Sequence, residues 1–247
     1  MSREHAWPKW IVNLFPTGNY TAGLTIENEG DKTIRKEWPM NDPTQKARVV
    51  CKPCNEGWMS TVEEETIPIL KAMIMQPRTM RRLNLHNQMV LANWAVLRAM
   101  VFDRLRDPDS SYFSINERHG FAKAHKKKPI ETTHVWLTIL PDGGLRGFQS
   151  GVHSRGSFDT EWRYLLFNCV LGQIAIQVFH WSGFSGTWIG DKDLRPAINL
   201  RKLDDPVWKD AIIRVWPRRR VSLEWPPRKR LTFAGIRPFY NRFHIPS

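Results

Sequence analysis

A chain of 247 residues can bury a sizeable core, as one domain or two modest ones, and 41% apolar with 25% charged residues excludes wholesale disorder. Thirty-seven Lys and Arg against twenty-four Asp and Glu give a net charge of +13 and a pI near 10.0, which favours a polyanionic partner, nucleic acid ahead of an anionic membrane surface. Three cysteines argue for a reducing compartment, here the cytoplasm, and against a disulfide framework.

The first residues, Met1-Ser2-Arg3-Glu4-His5, lack the apolar core of a signal peptide. Residues 4–15 then form a dense aromatic and apolar segment that must pack on something. Between Tyr20 and Trp38, Leu24-Thr25-Ile26 and Lys32-Thr33-Ile34-Arg35 flank the turn Asn28-Glu29-Gly30-Asp31 and predict a β-hairpin. Ala47 to Val50 is a short strand entering the knuckle Cys51-Lys-Pro-Cys54, with Asn55 next. A thiolate pair at this spacing can hold one face of a tetrahedral zinc ion, but two ordinary reduced thiols flanking a turn explain it equally well. Four ligands are needed, and the third cysteine, Cys169, lies far away in an apolar run. Ser60 with Glu63, or Thr61 with Glu64, has capping-box spacing and predicts a helix from near Thr61 to near Met75, bent or delayed by Pro68. Glu63, Glu64 and Glu65 suit a helix first turn for dipole reasons alone.

Asn87 to Leu105 carries Val90, Trp94, Leu97, Val101 and Leu105 at three- and four-residue steps, a helix whose stripe belongs to a core. Ser114-Ile-Asn-Glu117 is a second capping box, opening a shorter helix that ends in Lys126-Lys127-Lys128. From Thr133 the pattern turns to strands: His134–Leu140 and Leu145–Val152 surround Pro141-Asp-Gly-Gly144. Trp162 to Trp181, about 20 residues long, is a membrane-span length. Arg163, Asn168, Gln173, Gln177 and the central Gly172 point instead to two strands around a turn, in a soluble protein. Residues 182–200 are Gly-rich with a return strand at their end, and Ala211–Trp216 predicts a last strand or short helix. The whole is an α+β chain with a small module over 1–80 and a larger α+β body with antiparallel hairpins over 81–247.

From Arg201 onward, twelve Lys and Arg face four acids, +8 of the chain's +13, interleaved with Trp216, Trp225, Phe233, Phe239 and Tyr240. Two readings stand side by side. Cations with aromatics between them suit phosphate contact and base stacking, with Arg218, Arg219, Arg220, Arg228, Lys229 and Arg230 as the nucleic-acid contacts. Alternatively, the aromatics fold back onto the body and leave a solvated basic face.

Glu4-His5 followed by Pro8, then a strand, Cys51-x-x-Cys54-Asn55 and a helix, resembles the ββα-metal motif of HNH endonucleases. The fuller pattern Glu-His-x-Trp-Pro-Lys-Trp with Val-Cys-x-x-Cys-Asn-x-Gly-Trp-Met is similar to a group of HNH proteins from actinobacteria and their phages. The motifs cover about the first seventy residues. The resemblance implies a DNA phosphodiesterase with His5 as general base and Asn55 as a catalytic residue. It further implies Glu4 and Asn55 as ligands of a catalytic Mg²⁺ or Mn²⁺, and Cys51 and Cys54 as a structural zinc half-site. An imidazole is a competent base at neutral pH, and carboxylate and amide oxygens suit a hard cation. A non-catalytic nucleic-acid-binding protein on the same module is the alternative. Three departures from the pattern stand out. The second Cys-x-x-Cys expected before the His has no room after Met1, so either the natural start lies upstream or the fold holds without zinc. Position 46 is Lys where the family has Asn. His5 and Asn55 are separated by 50 positions, with the 20–38 hairpin as the insert.

Overall fold

The computed structural model describes residues 2–15, 20–27, 33–40, 46–106, 111–124, 128–155, 161–183, 210–217 and 221–241. The chain opens with strand β1 (Ser2–His5) and the short helix α1 (Lys9–Val12), followed by the hairpin β2 (Tyr20–Glu27) and β3 (Thr33–Met40) and by β4 (Lys46–Val50). A helical path then runs through α2 (Lys52–Cys54), a wider turn over Asn55–Met59 and α3 (Ser60–Met75). Next come β5 (Arg81–Asn84), α4 (Leu85–Arg106) and α5 (Ile115–Ala124). The strands β6 (Thr133–Ile139), β7 (Leu145–Arg155), β8 (Glu161–Leu171) and β9 (Ile174–Gly183) precede β10 (Ile212–Trp216), β11 (Ser222–Trp225) and α6 (Phe233–Asn241). The sheets are antiparallel throughout, and the fold is α+β.

The helix expected over Asn87–Leu105 is present as α4, but it is not a surface helix with one apolar stripe. Every residue from Val90 to Val101 is buried. The positions off the stripe include Ala92, Ala95, Val96 and Ala99, small or apolar enough to meet α3 on one side and the large sheet on the other. Its buried polar residues come five apart, at Gln88, Asn93, Arg98 and Asp103. Each step turns about 140° around the helix, so successive side chains face different neighbours. Gln88 donates to the Leu83 carbonyl of β5 at 2.9 Å, Arg98 reaches the end of β1, and Asp103 accepts from the Tyr112 and Phe113 amides at 3.0 and 3.1 Å.

The large sheet runs β10-β6-β9-β8-β7. The 162–181 segment is the β8–β9 hairpin, as expected, turning at Gly172, whose φ of +59° only glycine adopts freely. One face of the sheet, including Leu137, Phe167, Ile176 and Val178, joins a core that extends from Trp7 and Ile11 through Val62 and Leu70 to Trp225. Residues on both sides of position 80 share that core. On the other face, Val170 and Ala175 meet Leu231 and Phe239, while Gln177 Nε2 donates both to Asn168 Oδ1 (2.7 Å) and to the Phe239 carbonyl (3.0 Å). The C-terminal region is therefore woven into the body. Its β10 forms one edge of the large sheet, and β11 pairs with β5, Trp225 opposite Arg81.

Several local expectations are met. The 20–38 hairpin forms with Ile26 opposite Ile34, α3 ends at Met75, and the Ser114–Glu117 box is made in both directions, whereas Pro68 lies inside α3 and does not delay its start. The Ser60–Glu63 box is not. The helical path has already begun at Cys51, so Ser60 has helical dihedrals and its hydroxyl donates to Glu64 (3.0 Å). Glu63 turns inward instead of toward the helix start. The return strand expected near residue 200 and the lysines 126 and 127 lie outside the described residues.

A polar network closes the far end of α4. His180, fully buried on β9, stacks on Phe113 with ring centroids 4.0 Å apart, its Nδ1 3.3 Å from Thr132 Oγ1 and its Nε2 3.5 Å from Glu117. Burial pushes the His180 pKa down, against the smaller opposing pull of Glu117 and Asp103.

Two predictions follow from this packing. A Cβ at Gly147 would sit 2.7 Å from the rings of both Phe102 and Trp7, so Gly147→Ala should destabilise by about 1–3 kcal/mol in urea unfolding. Because His180 is held neutral, the unfolded chain takes up its proton first as pH falls below the ordinary histidine value. Wild-type stability should thus drop between about pH 7 and 5, and His180→Gln should flatten that slope in unfolding curves taken across the range.

Candidate active site

β1 lies antiparallel to β4, with Ser2 opposite Val50, Glu4 opposite Ala47 and His5 opposite Lys46. The N-terminal end of β1 is thus the end nearest Cys51, while His5 stands one strand-length away beside Lys46. Lys46 is the position at which the resemblance calls for Asn, and the register sets it directly across from the histidine. The backbone of Glu4 belongs to this ladder, whereas its side chain is outside what the structure describes. Terminal fraying does not reach His5: its ring is half-buried, and Ala6 and Trp7 behind it are buried. Pro8 caps α1, its carbonyl accepting from Ile11 and Val12 at 2.9 and 3.2 Å, which turns Trp10 and Ile11 onto the core.

At the other end of β4 the knuckle is the true helix start. Cys51 is extended, its Sγ accepts the Cys54 amide at 3.1 Å, and its carbonyl accepts the Asn55 amide at 3.0 Å. Sulfur here does what Ser or Asp does at an N-cap, and Pro53 is tolerated because a first-turn amide has no helical partner to lose. Cys51 and Cys54 are joined as a disulfide with Cα atoms 5.2 Å apart, a local link of one knuckle where the composition predicts reduced thiols. Asn55 follows, half-buried, in the first turn, and Gly57 breaks the helical dihedrals (φ −98°, ψ −108°) before α3 resumes.

Behind both ends lies a junction that the sequence reading missed. Glu63 Oε2 accepts from Trp10 Nε1 at 2.8 Å, and Oε1 accepts from Trp94 Nε1 at 3.0 Å. Arg98 Nη2 stands 3.1 Å from the same Oε1. The other terminal nitrogen of Arg98 donates to the carbonyls of His5 (3.1 Å) and Ala6 (3.3 Å). An acid in a helix first turn suits the dipole alone, and only the partners on α1 and α4 reveal the role of Glu63.

Among the described residues, no three His, Cys, Asp or Glu side chains gather as metal ligands would. The two sulfurs find no further His or Cys there, so the described residues do not complete a zinc site. For a hard divalent cation the requirement is smaller, since Mg²⁺ keeps several waters and uses one or two carboxylates. Asn55 and Glu4 carry an amide oxygen and a carboxylate of the right chemistry, but the register sets the Glu4 backbone opposite Ala47, away from the knuckle end that leads to Asn55.

Of the six tail cations, Arg228, Lys229 and Arg230 are exposed, with Lys229 also 3.6 Å from Asp210; Arg218, Arg219 and Arg220 lie outside the described residues. Three of the five interleaved aromatics are drawn away from them. Trp216, Trp225 and Phe239 are buried in the body, and Phe233 is exposed. Pairing of β10 and β11 with distant strands draws those rings inward, which is the folding-back reading. Among the described residues no helix is long and apolar enough to cross a membrane.

The fold and site thus define an α+β protein whose N-terminal strands lead into a cysteine-capped helix. Comparison with protein-family models, with curated proteins and with solved structures finds no match.

The N-cap role of Cys51 is testable in the fully reduced protein. Cys51→Ser should keep the cap, whereas Cys51→Ala should cost about 1 kcal/mol more in urea unfolding.

Proposed function

We propose that this chain is a metal-dependent endonuclease of the HNH type, hydrolysing DNA phosphodiester bonds. The observation that carries the reading is the β1–β4–helix order, with His5 closing the first strand and Asn55 in the first turn of the helix. His5 is the general base that takes the proton of the attacking water, and its partial exposure leaves room for that water. A bound Mg²⁺ or Mn²⁺ would offset charge on the leaving oxygen. Glu4 and Asn55 would hold it. A helix N-terminus by itself favours an anion, so the Asn55 end suits the scissile phosphate. The exposed Arg228, Lys229 and Arg230, within a +13 chain, would track the DNA backbone.

A second reading, a non-catalytic DNA-binding protein on the same module, draws on the +13 charge and the exposed Arg228, Lys229 and Arg230 alone. One experiment separates the two. Supercoiled plasmid incubated with Mg²⁺ or Mn²⁺ should be nicked by the wild type, and His5→Ala should lower the rate by roughly 10²–10⁴-fold. No nicking under either metal, or equal nicking by the variant, overturns the endonuclease. Salt-dependent binding without cleavage would leave the second reading, and neutralising Arg228, Lys229 and Arg230 should then reduce the salt slope by about one per cation removed.

A further inference from the structure

We infer that Glu63 and Arg98 are positioning residues for His5, a clamp that fixes the main chain carrying the proposed base against the helix that Asn55 opens. The inference rests on the endonuclease reading for its consequence, but its geometry stands by itself. Arg98 is fully buried, and its two terminal nitrogens face opposite ways: one to the His5 and Ala6 carbonyls, the other to Glu63 on α3. Glu63 is held in turn by the Trp10 and Trp94 indoles, one on each carboxylate oxygen. A planar guanidinium is pre-organised to bridge acceptors on two sides at once, which a flexible ammonium is not. The carbonyls it grips are those of His5 and of the next residue, so the clamp sets the strand end at which the imidazole departs. It touches no substrate and acts only through that placement. A base displaced by about 1 Å loses roughly 10²-fold in rate.

The test compares wild type with Glu63→Gln and Arg98→Lys by amide hydrogen exchange and by plasmid nicking. Glu63→Gln is close to isosteric, but it removes the charge and turns a donor toward one of the two indoles. If the clamp positions His5, exchange in residues 5–12 should rise by at least tenfold while residues 90–101 of α4 stay protected. The nicking kcat should then fall roughly 10²-fold with KM within about threefold of wild type. Should residues 5–12 stay as protected as in wild type, or open only together with α4, the pair is merely part of the core and the inference fails. Should either variant not fold, Trp10→Phe, which withdraws a single donor from Glu63, gives the same two readouts at smaller amplitude. Variants that open as expected beside a wild type that never nicks DNA would overturn the endonuclease and leave the clamp standing.

Discussion

A largely buried carboxylate and a fully buried guanidinium at the meeting of four chain segments are the constraint on which the N-terminal half depends. Burying two charges costs several kcal/mol apiece, and their attraction repays this only when the remaining donors and acceptors are also satisfied. Here both Glu63 oxygens take an indole N–H, and the far side of Arg98 takes two main-chain carbonyls. The solution requires α1, α3, α4 and the end of β1 to be in place together, because each supplies one part of it. The end of β1 is thereby tied to α4, buried without a break over residues 90–101.

That helix organises the rest by the same device. Over residues 90–101 it is buried all round, mostly by apolar side chains that alone would leave its neighbours free to slide, and the polar residues five apart remove that freedom. Gln88 fixes β5, Arg98 fixes the end of β1, and Asp103 fixes the turn that enters α5. The large sheet meets α4 mainly through apolar contact, with the His180 network at the far end. Alternation of Leu, Ile, Val and Phe along β6, β8 and β9 supplies that contact, while on the opposite face the Gln177–Asn168 pair anchors α6 through the Phe239 carbonyl.

The C-terminal stretch shows how tertiary structure reassigns residues that look alike in a row. Its cations and its rings alternate in sequence, yet they part company in space. Trp216 and Trp225 enter the core at the ends of β10 and β11, and the charges of Arg228 and Arg230 remain outside. Among the described residues, what is left at the surface is chiefly electrostatic, with Phe233 as an exposed ring. Attraction to a phosphate backbone is the property such a surface chiefly offers.

Signals confined to a few neighbouring residues were legible in the chain by itself: the hairpins around Gly30 and Gly172, the Ser114–Glu117 cap, the three- and four-residue rhythm of α4 and the end of α3 at Met75. Of the candidate site, the strand leading to Cys51 and the helix following Asn55 were readable for the same reason. Contacts between residues far apart in sequence were decided only by the fold. The β5–β11 pair joins two four-residue strands too short to announce themselves, and Cys51 took the capping role assigned to Ser60 because the helical path starts nine residues earlier. Glu63 looked like any acid in a helix first turn. Its partners are Trp10 before it and Trp94 and Arg98 after it, and no local pattern encodes which distant donors will surround a carboxylate once the chain has closed around it.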